Sequence, residues 1–147
     1  MVGMPLWATI LSGSSSISAQ DVCLSMTQEL EAQALAILDS LVSTPFDECV
    51  PITRAFKNVT ASASIYAVRH RELGLLYVGK TRYSRERFRD GHKAFLWSWL
   101  DRYNPEDVRL LLHPLNFIEL QTLSSSLEAI IIAAAKPPYN ARYPARD

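Results

Sequence analysis

Two tyrosines, Tyr66 and Tyr77, stand eleven residues apart in the short runs Ser64-Ile65-Tyr66 and Tyr77-Val78-Gly79. Arg87 follows the second tyrosine by ten residues, inside a cationic cluster with Arg82, Arg85 and Arg89. Further on, Glu128 is the single carboxylate between Leu120 and Asn140, and Asn140 comes just after the pair Pro137-Pro138. These residue types suit chemistry at phosphate. A guanidinium is a planar fork that can hold a non-bridging phosphate oxygen. A lone carboxylate on an apolar helix is costly to desolvate, and a hard divalent cation would offset that cost. A phenol has a pKa of about 10 and is a poor base near neutrality, but a nearby cation such as Lys80 favours its phenolate form. Hydrolysis of a phosphodiester asks for these services: a water that loses a proton, charge neutralisation at phosphorus, and stabilisation of the leaving oxygen.

Each residue also has a structural reading. Tyr66 and Tyr77 are of a type that commonly packs in a core, and Arg87 could be a solvated surface residue. Ser125-x-x-Glu128 has the spacing of a capping box, in which Glu128 would only bond a backbone N–H. Asn140 could bond a phosphate or hold a loop. His92 lies five residues after Arg87, about 140° around a regular helix. It therefore points away from Arg87 and towards the apolar stripe of Phe88 and Phe95. His70 and His113 have no partner at metal-ligand spacing, and they read as incidental.

The elements that must position these residues follow from periodicity and turn signals. Ser25 and Gln28 suit a capping box. Leu30, Ala34, Ile37, Leu38, Leu41 and Val42 then recur at helical spacing, which predicts an amphipathic helix over about 26–42. Pro45 and Pro51 mark residues 44–63 as a connector, with a short helical turn at 52–57. Residues 62–70 and 75–80 read as a β-hairpin around Arg71-Glu72-Leu73-Gly74, with the two tyrosines near the strand ends. Ser84 opens a helix to about Arg102, stopped by Asn104-Pro105. Residues 108–112 form a short strand for the sheet interior. Ser124 to Ser126 cap a last, nearly all-apolar helix from Leu127 to Ala135, and residues 139–142 run out as a loop. The order implies a small sheet covered by helices, an α+β arrangement.

The chain has 147 residues and no net charge, but the charge is unevenly placed. Residues 1–53 hold six acids and no Lys or Arg, whereas residues 64–102 hold nine Lys/Arg against four acids. A locally positive surface favours a polyanion, while the acidic first helix suits a protein partner or self-association. Cys23 and Cys49 have no metal or redox spacing and read as free thiols. No apolar run reaches transmembrane length, and the first residues lack the basic start of a secretory signal. No membrane partner and a cytoplasmic location, nucleoid-associated in a prokaryote, are the expectations.

The motif residues, taken in order over about residues 62–143, resemble the GIY-YIG nuclease superfamily. That resemblance implies a three-stranded, mainly antiparallel sheet flanked by helices over 61–147; residues 25–60, read as a helical extension and connector, and residues 1–24, read as a flexible tail, lie outside it. It implies Tyr66, Tyr77, Lys80, Arg87 and His92 as catalytic residues, and Glu128 as the ligand of a single Mg2+ or Mn2+. Arg82, Arg85, Arg89 and Asn140 would contact phosphate. The implied activity is endonucleolytic hydrolysis of DNA, with RNA as the other candidate substrate. The second reading is a nucleic-acid-binding module that keeps the fold without the chemistry. Two positions depart from the family pattern. Ser64 replaces the first glycine, and Gly91 occupies the place where many members carry His or Tyr, leaving His92 one residue late.

Overall fold

In the computed structural model of the chain, the described residues are 16–51, 62–83 and 102–142. The predicted helix from Ser84 to Arg102 lies almost wholly outside them. With it go Arg85, Arg87, Arg89 and His92, and the turn predicted at 52–57.

The first helix, α1, runs Ala19–Ser43 and so begins seven residues before its predicted start. Its cap is Ser18: the hydroxyl accepts the Asp21 N–H, and the Asp21 carboxylate accepts the Ser18 N–H. Ser25 and Gln28, read as the capping pair, lie inside the helix. No Gly or Pro interrupts residues 18–43, so the helix extends back to the first residue able to close its open N–H groups. It thereby enters the segment assigned to a tail. A 3₁₀ turn, Phe46–Glu48, follows, and Phe46 lies beneath the guanidinium groups of Arg71 and Arg109, 4.4 and 4.9 Å from its ring centre.

The sheet has four strands, one more than predicted: β1 Val50–Pro51, β2 Ser64–His70, β3 Gly74–Thr81 and β4 Val108–Pro114, in the order β1-β4-β2-β3 and antiparallel throughout. The additional strand contains a proline, which reads as connector in sequence. Proline lacks the N–H of an interior strand, yet fits a two-residue strand at a sheet edge. β4 pairs with β2 along its full length, which explains its apolar composition. The hairpin turn is closed by Gly74, at φ +78, and by His70, whose Nδ1 accepts the N–H groups of Glu72 and Leu73 at 3.1 and 3.2 Å. His70 thus has a structural task that the sequence reading missed. The β2–β3 register shifts between Val68 and Arg69, a β-bulge in the hairpin.

Three helices follow β4. The first, α2, spans Phe117–Thr122 and is capped by a reciprocal Asn116–Glu119 box. It was not predicted, because six residues are too few to show a periodicity. The second, α3, spans Ser124–Ala135 and buries Ser124, Leu127, Glu128 and Ile131. The opposite side of α3 is exposed at Ala129 and Ala133, so an all-apolar composition did not mean burial all round; alanine is tolerated in water at little penalty. The third, α4, spans Pro138–Arg142 where a loop was predicted. Pro138 is suited to a first helical position, since that N–H would be unbonded in any case.

Each sheet face has its own core. Ile65, Ala67, Val78 and Leu111 pack beneath α1 and α3, against Ala34, Ile37, Leu41, Leu127 and Ile131. Tyr66, Val68, Tyr77, Val108 and Leu110 line the other face, where Tyr139 of α4 joins them. Among the described residues no helix is long and apolar enough to cross a membrane.

Candidate active site

Strand alternation dictates the geometry of the site. Tyr66 pairs with Gly79 and Val68 with Tyr77, so both tyrosines project from one face. They stand in the body of their strands, not at the ends. Their rings are 6.0 Å apart, tilted by 39°, and both are almost fully buried. Tyr66 crosses to β3 over Gly79: a Cβ built there would lie 2.5 Å from both Cζ and the hydroxyl oxygen of Tyr66. Only a residue without a side chain lets the ring lie so close to the strand. Ser64, which replaces the family's first glycine, is fully buried opposite Thr81.

Lys80 is the next residue along β3. It pairs with Ile65 and therefore projects from the opposite face. There it meets α3: its ammonium donates to the Ser125 hydroxyl and lies 3.9 Å from a carboxylate oxygen of Glu128. Glu128 is the fifth residue of α3 and is about nine-tenths buried. The helix begins at Ser124, and its N-cap position is Leu123, with no side-chain cap. The capping-box reading of Ser125 and Glu128 is thereby overturned. Spacing misled because residues three apart share a helix face whether they cap a terminus or converge on a third group. Ser125 is the site residue that the sequence reading passed over in favour of a cap, although the relevant signal was present.

The tyrosine pair and the Lys80–Glu128 pair therefore occupy opposite faces, joined at adjacent residues of β3. They meet around the strand, not on one floor. Beside Lys80 a cleft of about 210 Å³ is lined by Lys80, Thr81, Arg82, Gln121, Ser124 and Ser125 among others. The two cations and three hydroxyls among its lining suit an anionic group.

Asn140, read as a phosphate contact or a loop anchor, holds the backbone. Its Oδ1 accepts the Val78 N–H at 2.9 Å and its Nδ2 donates to the Val78 carbonyl at 2.8 Å, in a buried setting. The side chain replaces a further strand at the outer edge of β3, where those groups would otherwise be unmet. Both ends of the amide engage β3, which is the anchoring half of that expectation.

Among the described residues no three His, Cys, Asp or Glu side chains gather as a metal-binding group. Glu128 fits the ligand role in a narrower sense. It is a buried oxygen donor beside an anion-suited cleft, and Mg2+ commonly uses one or two carboxylates, with water and substrate phosphate completing its shell.

A family model described as the GIY-YIG catalytic domain matches residues 62–140, just over half of the chain. No curated protein and no solved structure matches the chain significantly. The matched span starts just before β2 and ends at Asn140, so it includes both tyrosines, Lys80 and Glu128.

Proposed function

The chain belongs to the GIY-YIG catalytic domain family, a family of nucleases, and from that premise we propose that it is a metal-dependent endonuclease of DNA. The observation that carries this reading is the Lys80–Ser125–Glu128 cluster beside a cleft suited to an anion, with the tyrosine pair on the other face of the sheet, joined to it only through adjacent residues of β3. Glu128 would hold the divalent cation, Mg2+ or Mn2+, which supplies Lewis-acid charge to the phosphate and its leaving oxygen. The reaction forms a bond from water oxygen to phosphorus and breaks one from phosphorus to a bridging oxygen. Tyr66 or Tyr77 orients the water or takes its proton. Lys80 and Arg82 hold the phosphate at the cleft. Arg87, outside the described residues, keeps the role the family pattern gives it, neutralising charge at phosphorus; His92, also outside them and one residue past the family's His or Tyr position, is the further catalytic candidate. Arg85 and Arg89, also outside the described residues, would contact DNA phosphate.

A second reading is favoured by one contact. Lys80 already places a positive charge 3.9 Å from Glu128, so the acid is balanced without a metal, as a binding module lacking the chemistry would require. Nicking of supercoiled plasmid in Mg2+ or Mn2+, beside the Glu128→Ala variant, separates the two. The nuclease reading expects cleavage by the parent chain and a loss of about a hundredfold or more in the variant. Salt-sensitive DNA binding with no cleavage in either ion supports the binding module. Equal cleavage by both proteins removes Glu128 from the mechanism.

A further inference from the structure

The stripe of α1 that faces the core continues past the domain it serves. Ala34, Ile37 and Leu41 are buried beneath the sheet, but Ala19, Val22, Cys23, Met26, Thr27 and Leu30 carry the same stripe about 16 Å further and, with Leu123, line an open groove of about 480 Å³. Val22 is 46% and Met26 65% exposed. On α2, Phe117 and Ile118 are 75% and 69% exposed as well. Apolar surface of this kind on a soluble domain marks an interaction site.

The charges around the groove identify what it takes. None of α1, α2 and α3 contains a Lys or Arg. Glu29 and Glu31 flank Leu30, about 100° to either side on the helix, Asp21 precedes Val22, and Glu119 is tied to α1 through Gln33 at 3.1 Å. An acidic rim repels nucleic acid and an anionic lipid surface. It also opposes an isologous pairing of two copies, which would set like charges against each other. Residues 1–15 are apolar and polar without Lys or Arg and offer nothing to the rim. We propose that the groove is the docking site for one amphipathic helix of a partner protein, with an apolar stripe flanked by Lys and Arg. Apolar burial supplies affinity, and the rim selects the basic partner and its orientation. The inference does not depend on the nuclease reading: the groove lies on α1 and Leu123, and none of the proposed catalytic residues lines it.

Cys23 lines the groove and is exposed, whereas Cys49 is buried and its thiol is pushed above its ordinary value by burial. Alkylation of Cys23 therefore reports occupancy, with Cys49 as an internal control. The probe is a helical peptide of leucine and lysine about fourteen residues long, leucines at helical spacing, added to the full chain. The expected result is saturable slowing of Cys23 alkylation, together with fluorescence-anisotropy binding about tenfold weaker for Val22→Glu, Met26→Glu or the Glu29→Lys, Glu31→Lys pair. A leucine–glutamate peptide should not bind. Equal binding to parent and variants overturns the proposal, as does equal binding of the glutamate peptide. Peptide-free protection of Cys23 that grows with chain concentration assigns the groove to a second copy. Protection that is complete at every concentration assigns it to the chain's own N-terminus. Either outcome also overturns the proposal.

Discussion

Tyr66 lies across Gly79 closely enough that a single added methyl group would overlap the ring, at 2.5 Å from Cζ. Tyr66 is 1% exposed, so the ring has little room to retreat. Gly79→Ala should therefore destabilise the fold by about 1–3 kcal/mol, as overpacking does, and displace the phenol from its place. Urea unfolding reads the first effect and plasmid nicking the second. Tyr66→Leu in the same chain should restore part of the stability but none of the activity. Additive losses in that pair would show that the clash is not the cause.

Lys80 is held between Ser125 and Glu128 on one face of α3. Its side chain is 36% exposed, so the ion pair contributes little to stability, about 0.5 kcal/mol. Ser125→Ala should leave thermal unfolding nearly unchanged while weakening DNA binding and cleavage several-fold, since the ammonium loses its anchor. Lys80→Met should act in the same direction and more strongly. A Ser125→Ala chain with unaltered DNA affinity and cleavage would reduce the contact to decoration.

Asn140 bonds both backbone groups of Val78. Asn140→Ala leaves a buried N–H and C=O unmet, which predicts a loss of about 2–3 kcal/mol in denaturant unfolding. Asn140→Asp should be no better, because a carboxylate oxygen would then face the Val78 carbonyl. A residue serving only phosphate would lower DNA affinity with unfolding unchanged, and that result would favour the contact role.

The α1 N-terminus should respond to acid. The Ser18 hydroxyl, then the Ser18 N–H, hold the Asp21 carboxyl below its ordinary value of 3.8. A group lowered on folding stabilises above its unfolded pKa and loses that contribution as pH falls through the folded value. The first turn of α1 should therefore fray below pH 3.8, visible as faster amide exchange at Asp21 and Val22. Ser18→Ala should fray the turn already at neutral pH and flatten the pH response. An exchange rate independent of pH in the parent chain, after correction for intrinsic chemistry, would refute the cap.

Much of this molecule is written locally. The β-branched, aromatic and aliphatic composition of residues 64–70 and the Gly74 turn define the hairpin. The repeat of Leu30, Ala34, Ile37 and Leu41 defines α1. The two tyrosines, Lys80 and Glu128 are legible as a set because their types and order suit one chemistry. The errors share a cause too. β1 and α2 are too short to carry a period, α4 begins at the second of two prolines, and the start of α1 depended on Asp21 doing what Glu or Gln more often does.

What the chain could not declare by itself is the partner of each side chain. Ser125 and Glu128 three residues apart were compatible with a helix cap or with a shared cation, and only the packing of α3 against β3 brought Lys80 between them. Asn140 was compatible with phosphate or with a loop, and only the position of α4 along the open edge of β3 revealed its bonds to the Val78 backbone. Local sequence determines periodicity and turns because those depend on near neighbours. Contacts between residues 62 positions apart depend on how layers stack, and that is decided only when the whole sheet is covered.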